Sequence, residues 1–369
     1  MIVVGAGQSG LATAYYLRRA GITPLLLDAQ PTPGGAWLHV WPSMTLFSTS
    51  EFSNLPGRPM PAYEGFPPAS HVVDYLADYE KRYDLEVIRP VTVEEVTHDG
   101  EVFHLRAGDR EWQARQVVAA TGTWSAPFVP VYPGTFAGRQ WHSANYPGPE
   151  PFRGTKVAVV GAANSGAQIA AELTDVADVT WYTRHEPRWM PDDVDGRVLF
   201  RRNSLRALAI LRGEEDPGAD SELGDIVVLP AVKKARDEGR LVATPLFASL
   251  DDIDADHLIW CTGFRPALGH LAPLGVLDAQ GRVELDASQL RALREPGLWL
   301  LGYGDWNGMA SATLVGITRY ARQAVQQVQA WLQPRVAAVD GIDPASTAAG
   351  SSPALPTSPG MAGAGNDDP

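Results

Sequence analysis

Two glycine turns, each fed by a short apolar run and followed by a helix-forming stretch, leave this chain little freedom of fold class. The first, Gly5-Ala6-Gly7-Gln8-Ser9-Gly10, follows Ile2-Val3-Val4. The second, Gly161-Ala162-Ala163-Asn164-Ser165-Gly166, follows Val157-Ala158-Val159-Val160. In a G-x-G-x-x-G turn the first glycine permits the tight bend and the second lets backbone approach a pyrophosphate. The third lets the helix pack on the strand. The helix start then offers free N–H groups and a partial positive charge to the phosphates. Two such units predict an α/β protein with two Rossmann-like dinucleotide-binding domains and electron traffic between two cofactors.

The units differ at the end of their second strand. In the first unit, Leu25-Leu26-Leu27 ends at Asp28, where a carboxylate can accept hydrogen bonds from ribose hydroxyls. In the second, Val179-Thr180-Trp181-Tyr182 ends at Thr183-Arg184. An arginine there pairs with a 2′-phosphate that a carboxylate would repel, and Thr183 can donate to it, so the pattern predicts NADPH over NADH. Ala163 replaces the second glycine and places a methyl group where backbone would approach pyrophosphate.

Composition narrows the function classes. The 369 residues are 45% apolar, enough for two domains. A net charge of −13 argues against nucleic-acid or anionic-membrane partners. No apolar run reaches the ~18 residues of a membrane span, and Met1-Ile2-Val3-Val4 has no basic leader region, so a cytoplasmic protein is expected. The first strand is short, which a mis-set start or trimming would explain. A single cysteine, Cys261, allows neither an internal disulfide nor a C-x-x-C redox pair. The eight histidines form no ligand spacing, so no metal is expected, and no G-x-S-x-G elbow supports a hydrolase.

Along the chain, helices are predicted over 9–20, 71–84, 167–173 and 313–332, and alternating strands within 85–118. Strand ends at Thr121-Gly122 and Thr262-Gly263 reach small-residue turns, and Leu298–Leu301 runs into Gly302-Tyr303-Gly304-Asp305. Segments 31–68 and 185–250 read as irregular and ligand-surrounding. The expected domains are 1–153 with 264–335 around the first glycine turn, an inserted domain over 154–263 around the second, and a disordered Ala/Pro/Gly/Ser-rich tail over 336–369.

Between the turns lies Phe136-x-Gly138-x-x-x-His142-x-x-x-Tyr146. With Pro33-Gly34-Gly35-Ala36-Trp37 and Trp260-Cys261-Thr262-Gly263-Phe264-Arg265-Pro266, it makes residues 1–333 resemble class B flavoprotein monooxygenases. The resemblance is to the bacterial flavin-containing, arsenic-resistance-associated (ArsO) type. It implies FAD on Gly5, Gly7, Gln8, Ser9, Gly10 and Asp28, with Gly35, Trp37, Thr121, Gly122, Gly304 and Asp305 completing that site. It implies NADPH on Gly161, Ala163, Asn164, Ser165, Gly166, Thr183 and Arg184. Phe136, Gly138, His142 and Tyr146 would link the domains, His142 mainly as a structural residue; Tyr146 resembles the N/S-oxidising branch. Where some relatives carry asparagine beside the flavin, this chain has Thr49, with Ser48 and Ser50 adjacent. Thr49, Ser48 and Asn164 are the candidate catalytic residues. The stretch 243–256 is short for the subfamily.

The implied activity is NADPH-dependent oxygenation, through a flavin C4a-hydroperoxide, of a small molecule bearing a soft N, S or trivalent As atom. Dioxygen is the co-substrate, and a homodimer is left open. Two rival readings stand beside it: an NADPH oxidase or reductase, prompted by Thr49, and a non-catalytic flavin-binding redox sensor.

Overall fold

The computed structural model describes residues 1–215 and 222–332. The tail read over 336–369 lies outside them. In chain order the elements begin with β1 (Ile2–Val4), α1 (Gln8–Arg19), β2 (Leu25–Leu27), α2 (Ala69–Arg82) and β3 (Val87–Ile88). Next come β4 (Glu95–His98), β5 (Phe103–Ala107), β6 (Arg110–Ala114), β7 (Val117–Ala119) and β8 (Arg139–His142). After these lie β9 (Lys156–Val160), α3 (Asn164–Leu173), β10 (Asp178–Thr183), α4 (Gly196–Arg212) and α5 (Pro230–Asp237). The chain closes with β11 (Ala243–Pro245), β12 (His257–Trp260), β13 (Leu298–Leu300) and α6 (Ile317–Leu332).

The fold is α/β, built on two five-stranded parallel sheets ordered β13-β7-β1-β2-β3 and β11-β10-β9-β12-β8, with β4, β5 and β6 forming a small antiparallel sheet. Each parallel sheet has its glycine-turn strand at the centre. The next strand in sequence lies on one side of it and the strand ending in Thr-Gly on the other. That arrangement opens a crevice at the carboxyl ends of the strands, where open α/β sheets bind ligands. Strand residues are buried on both faces, as covered parallel sheets require. Val3 joins a core with α1, α2 and α6, while Ile2 and Val4 face a second core shared with Phe103 and Leu105 of β5. Around the second sheet, Val157 and Val159 pack with α3 and α5, and Ala158 and Val160 pack with Phe136, Phe247 and Trp260.

Two regions depart from the sequence reading. The segment 185–250 contains α4 and α5 rather than irregular chain. The Phe136–Tyr146 motif contributes β8, an edge strand paired in parallel with β12, to the sheet of the second glycine turn.

Candidate cofactor and active site

The two crevices repeat one construction atom for atom. Gly5 N donates to Leu27 O at 2.8 Å and Ala120 N to Val4 O at 2.8 Å. Gly161 N donates to Tyr182 O at 3.0 Å and Cys261 N to Val160 O at 2.8 Å. Gly5 and Gly161 both have positive φ, at +100° and +140°. A Cβ on them would lie 2.5 Å from Ala120 O and 2.3 Å from Cys261 O. Gly10 and Gly166 bring helix onto strand: a Cβ would sit 1.9 Å from Gly5 O and 2.1 Å from Gly161 O.

Both helix starts suit a pyrophosphate. Gly7 and Ala163 occupy the N-cap positions of α1 and α3 with extended backbones, neither makes a side-chain cap, and neither first turn carries an acid. The unpaired N–H groups of each first turn are thus left for an anion. Ala163 is exposed and adopts φ −115°, a conformation alanine takes without strain. Gly7 packs against Gly35, whose φ is +56° and whose Cβ would lie 2.8 Å from Gly7 Cα. The Pro33–Trp37 loop is therefore seated directly on the first turn.

Asp28 is buried at the end of β2. Its Oδ1 accepts from Ala6 N at 3.3 Å, and Arg89 Nε donates to its Oδ2 at 3.3 Å. Burial raises its pKa, while the Ala6 N–H and Arg89 oppose that shift. Arg89 in turn forks onto Glu80 at 2.6 and 2.8 Å. Gln8 braces the opposite wall: Trp37 Nε1 donates to its Oε1 at 3.0 Å, and its Nε2 donates to Ala312 O at 2.5 Å. Ser9 is buried against Gly302. Thr121 Oγ1 donates to Ala267 O at 2.8 Å and lies 2.9 Å from Tyr303 Oη; Ala267 N donates to Gly122 O. Asn307, fully buried, accepts from Gly302 N and donates to Gln289 O and Leu300 O, fixing the Gly302–Gly304 bend. Gly304 and exposed Asp305 open the next short helical turn.

At the second crevice Thr183 is buried and Arg184 is exposed at the strand end. No ion pair or hydrogen bond engages the Arg184 guanidinium among the described residues. Ser165 sits in the first turn of α3. Asn164 Oδ1 accepts from Val227 N at 2.8 Å, tying the chain beyond residue 222 to that helix start.

Thr49 and Ser48 lie where the two long loop segments meet. Gly196 N, at the start of α4, donates to Phe47 O at 2.6 Å, and a Cβ on Gly196 would lie 2.7 Å from Ser48 Cβ. Phe47 and Phe66 pack with Met190, Val194, Val227 and Leu229. Ser48 Oγ is buried against Ser53 Oγ at 2.8 Å, whereas the Thr49 hydroxyl has no partner among the described residues.

The linking motif is structural in detail. Gly138 lies against Asp256 O, where a Cβ would come to 2.3 Å. Phe136 is core, and Tyr146 Oη donates to Glu172 Oε2 at 3.1 Å. His142 Nδ1 accepts from Ala144 N at 3.0 Å, so Nε2 carries the proton and donates to Gly263 O at 3.1 Å. Burial lowers its pKa and keeps it neutral. Arg89, Glu80 and Asn307 are site residues that no motif announced; all three act through tertiary contacts.

Residues 2–302 match the family model described as pyridine nucleotide-disulphide oxidoreductase. The chain belongs to that family. A flavin-containing monooxygenase from Stenotrophomonas maltophilia is 50% identical, with a TM-score of 0.80 over 89% of this chain and 98% of that one. An uncharacterized CzcO-like oxidoreductase of Geobacillus kaustophilus is 28% identical over 86% of this chain and 94% of its own length. An indole-3-pyruvate monooxygenase of Arabidopsis thaliana is 34% identical over 54% of this chain and 51% of its own. The chain is an oxidoreductase, and its class B monooxygenase likeness extends over nearly the whole described fold. The non-catalytic sensor reading is thereby set aside. Among the described residues no helix is long and apolar enough to cross a membrane.

Proposed function

We propose that this protein is an NADPH-dependent flavin monooxygenase that places one oxygen atom on a soft nitrogen, sulfur or trivalent arsenic atom of a small molecule. One observation carries the reading: the duplicated cradle, one half ending in the carboxylate of Asp28 and the other in the unengaged guanidinium of Arg184. It occurs in a chain half identical to a flavin monooxygenase.

FAD belongs to the first cradle and NADPH to the second. In domain terms, 1–153 with 264–335 would hold FAD and 154–263 NADPH, except that β8 within the first span belongs to the sheet of the NADPH cradle. When bound, FAD supplies hydride acceptance and oxygen activation, chemistry no side chain of the chain provides. The protein binds and orients. The first turn of α1 holds pyrophosphate, Asp28 holds ribose, and the Gln8–Trp37 brace and the Gly304–Asp305 turn border the flavin. Arg184 and Thr183 take the 2′-phosphate. Thr49, its hydroxyl unspent, would be the donor offered to the flavin, with Ser48 beside it. Asn164 holds Val227 at the start of α3, beside which NADPH would bind. His142 holds the Gly263 turn and moves no proton.

Cys261 is buried, and burial pushes its thiol up to about 12, so neither disulfide exchange nor thiolate capture of arsenite is available to it. The disulphide half of the family description thus has no counterpart in this chain's chemistry. The test is anaerobic reduction of the FAD-loaded protein by NADPH, followed by dioxygen with a thioether, amine or trivalent arsenical present. Oxygenated product in step with NADPH consumed is expected. Peroxide equal to NADPH with every compound would favour the oxidase reading.

A further inference from the structure

A cavity of about 580 Å³ lies between α1, α6 and the turn at Pro56–Gly57, and includes none of the residues of either cradle. Its lining holds two guanidiniums, Arg19 and Arg322, together with tyrosines, amides and aliphatic carbon, and no carboxylate. In a chain of charge −13 that is an unusual local balance. Neither arginine forms an ion pair among the described residues; Arg19 donates a 3.2 Å hydrogen bond to Tyr15 Oη and its guanidinium lies 5.8 Å from the centroid of that ring. Its neighbour Arg18, outside the cavity, lies 4.0 Å from Asp84.

The wall is preformed. Tyr75, Tyr79 and Tyr83, spaced by four along α2 and its C-terminal end, donate in turn to Arg58 O at 2.6 Å, Pro56 O at 2.7 Å and Gly57 O at 2.7 Å. Gly57 has φ +80°, and a Cβ there would lie 2.5 Å from Tyr15 Oη, so this turn cannot carry a side chain and stays close to the Tyr15 ring. Tyr15 is further clamped edge-on by Tyr16 and Tyr83, at centroid distances of 5.2 and 4.8 Å. Val325 of α6 adds an apolar surface. A rigid aromatic and aliphatic pocket with two forked donors, neither neutralised by a carboxylate, matches a ligand that is flat and apolar at one end and anionic at the other.

We propose that this cavity is a binding site for a small aromatic carboxylate, its carboxylate on Arg19 and Arg322 and its ring against Tyr15, Tyr16 and Val325. The site is separate from both cradles yet shares α1 with the first, about two helical turns from Gln8 to Tyr15.

Calorimetric titration of the full-length, FAD-loaded protein with benzoate tests it, with benzamide and inorganic phosphate as comparison probes. Benzoate is expected to bind at least tenfold more tightly than benzamide or phosphate. Arg19→Gln and Arg322→Gln should each weaken it at least tenfold, while FAD content and melting temperature stay unchanged because both side chains are exposed. Three results would overturn the assignment: equal binding of benzamide or phosphate, benzoate binding unchanged in both variants, or displacement of benzoate by NADPH.

Discussion

At Gly10 one added methyl group would lie 1.9 Å from Gly5 O, closer than any relaxed structure tolerates. Gly10→Ala must therefore push α1 off β1, and the expected outcome is protein that fails to retain FAD; a fully yellow variant would contradict this. Arg184→Ala should weaken NADPH binding by ~1–3 kcal/mol through loss of a charge-assisted phosphate contact, and leave NADH nearly unchanged. Equal effects on both nucleotides, read by titration, would remove Arg184 from the site. These positions were legible because glycine spacing and strand-end chemistry are local properties. Gln8 was legible only as a turn residue. Its two hydrogen bonds, to Trp37 and to Ala312, span 29 and 304 positions of sequence, and no local pattern encodes such a partner. Asn307 and Arg89 escaped the sequence reading for the same reason.

Helix and strand periodicity recovered α1, α2, α3 and α6, and the small antiparallel sheet within 85–118. It failed over 185–250, where α4 packs on the small cluster around Met190 and Val227 rather than on a broad core face, and where α5 is short and sets only Val232 and Ala235 on the core beside α3. Pro230 in the first turn of α5, with Lys234 and Arg236 at its end, was the available signal. β8 was missed because its partner β12 lies more than a hundred residues on, and a parallel edge pairing leaves no hairpin signature. At this scale the contact of Asn164 with Val227 N is decisive. Asn164→Ala would leave a buried N–H unsatisfied and should cost ~1–3 kcal/mol of stability, with a raised KM for NADPH. Slower flavin reduction at unchanged stability would instead make Asn164 a catalytic donor.

Over the whole molecule, the pH dependence of stability should carry the mark of buried neutral histidines. His270 is buried with Nε2 unpartnered among the described residues, and burial lowers its pKa from 6.5 to about 4. Below pH 6.5 the unfolded chain binds a proton that the folded chain refuses, so stability falls as pH drops from 6.5 towards 4, by up to ~3 kcal/mol. His142, also lowered, acts in the same direction. His104, raised by Asp99 and Glu111, acts oppositely but is solvent-screened. Denaturant unfolding at pH 7 and 4.5 measures the loss, and His270→Gln should flatten it; an unchanged slope would remove His270 as its source. In the proposed reaction, electrons from NADPH carry one atom of dioxygen onto a soft nucleophile. It is tested most directly by turnover under ¹⁸O-labelled dioxygen with a thioether, an amine and a trivalent arsenical. One labelled oxygen in product is expected for each NADPH oxidised, with the second atom in water. Label found only in peroxide, for all three compounds, would contradict it.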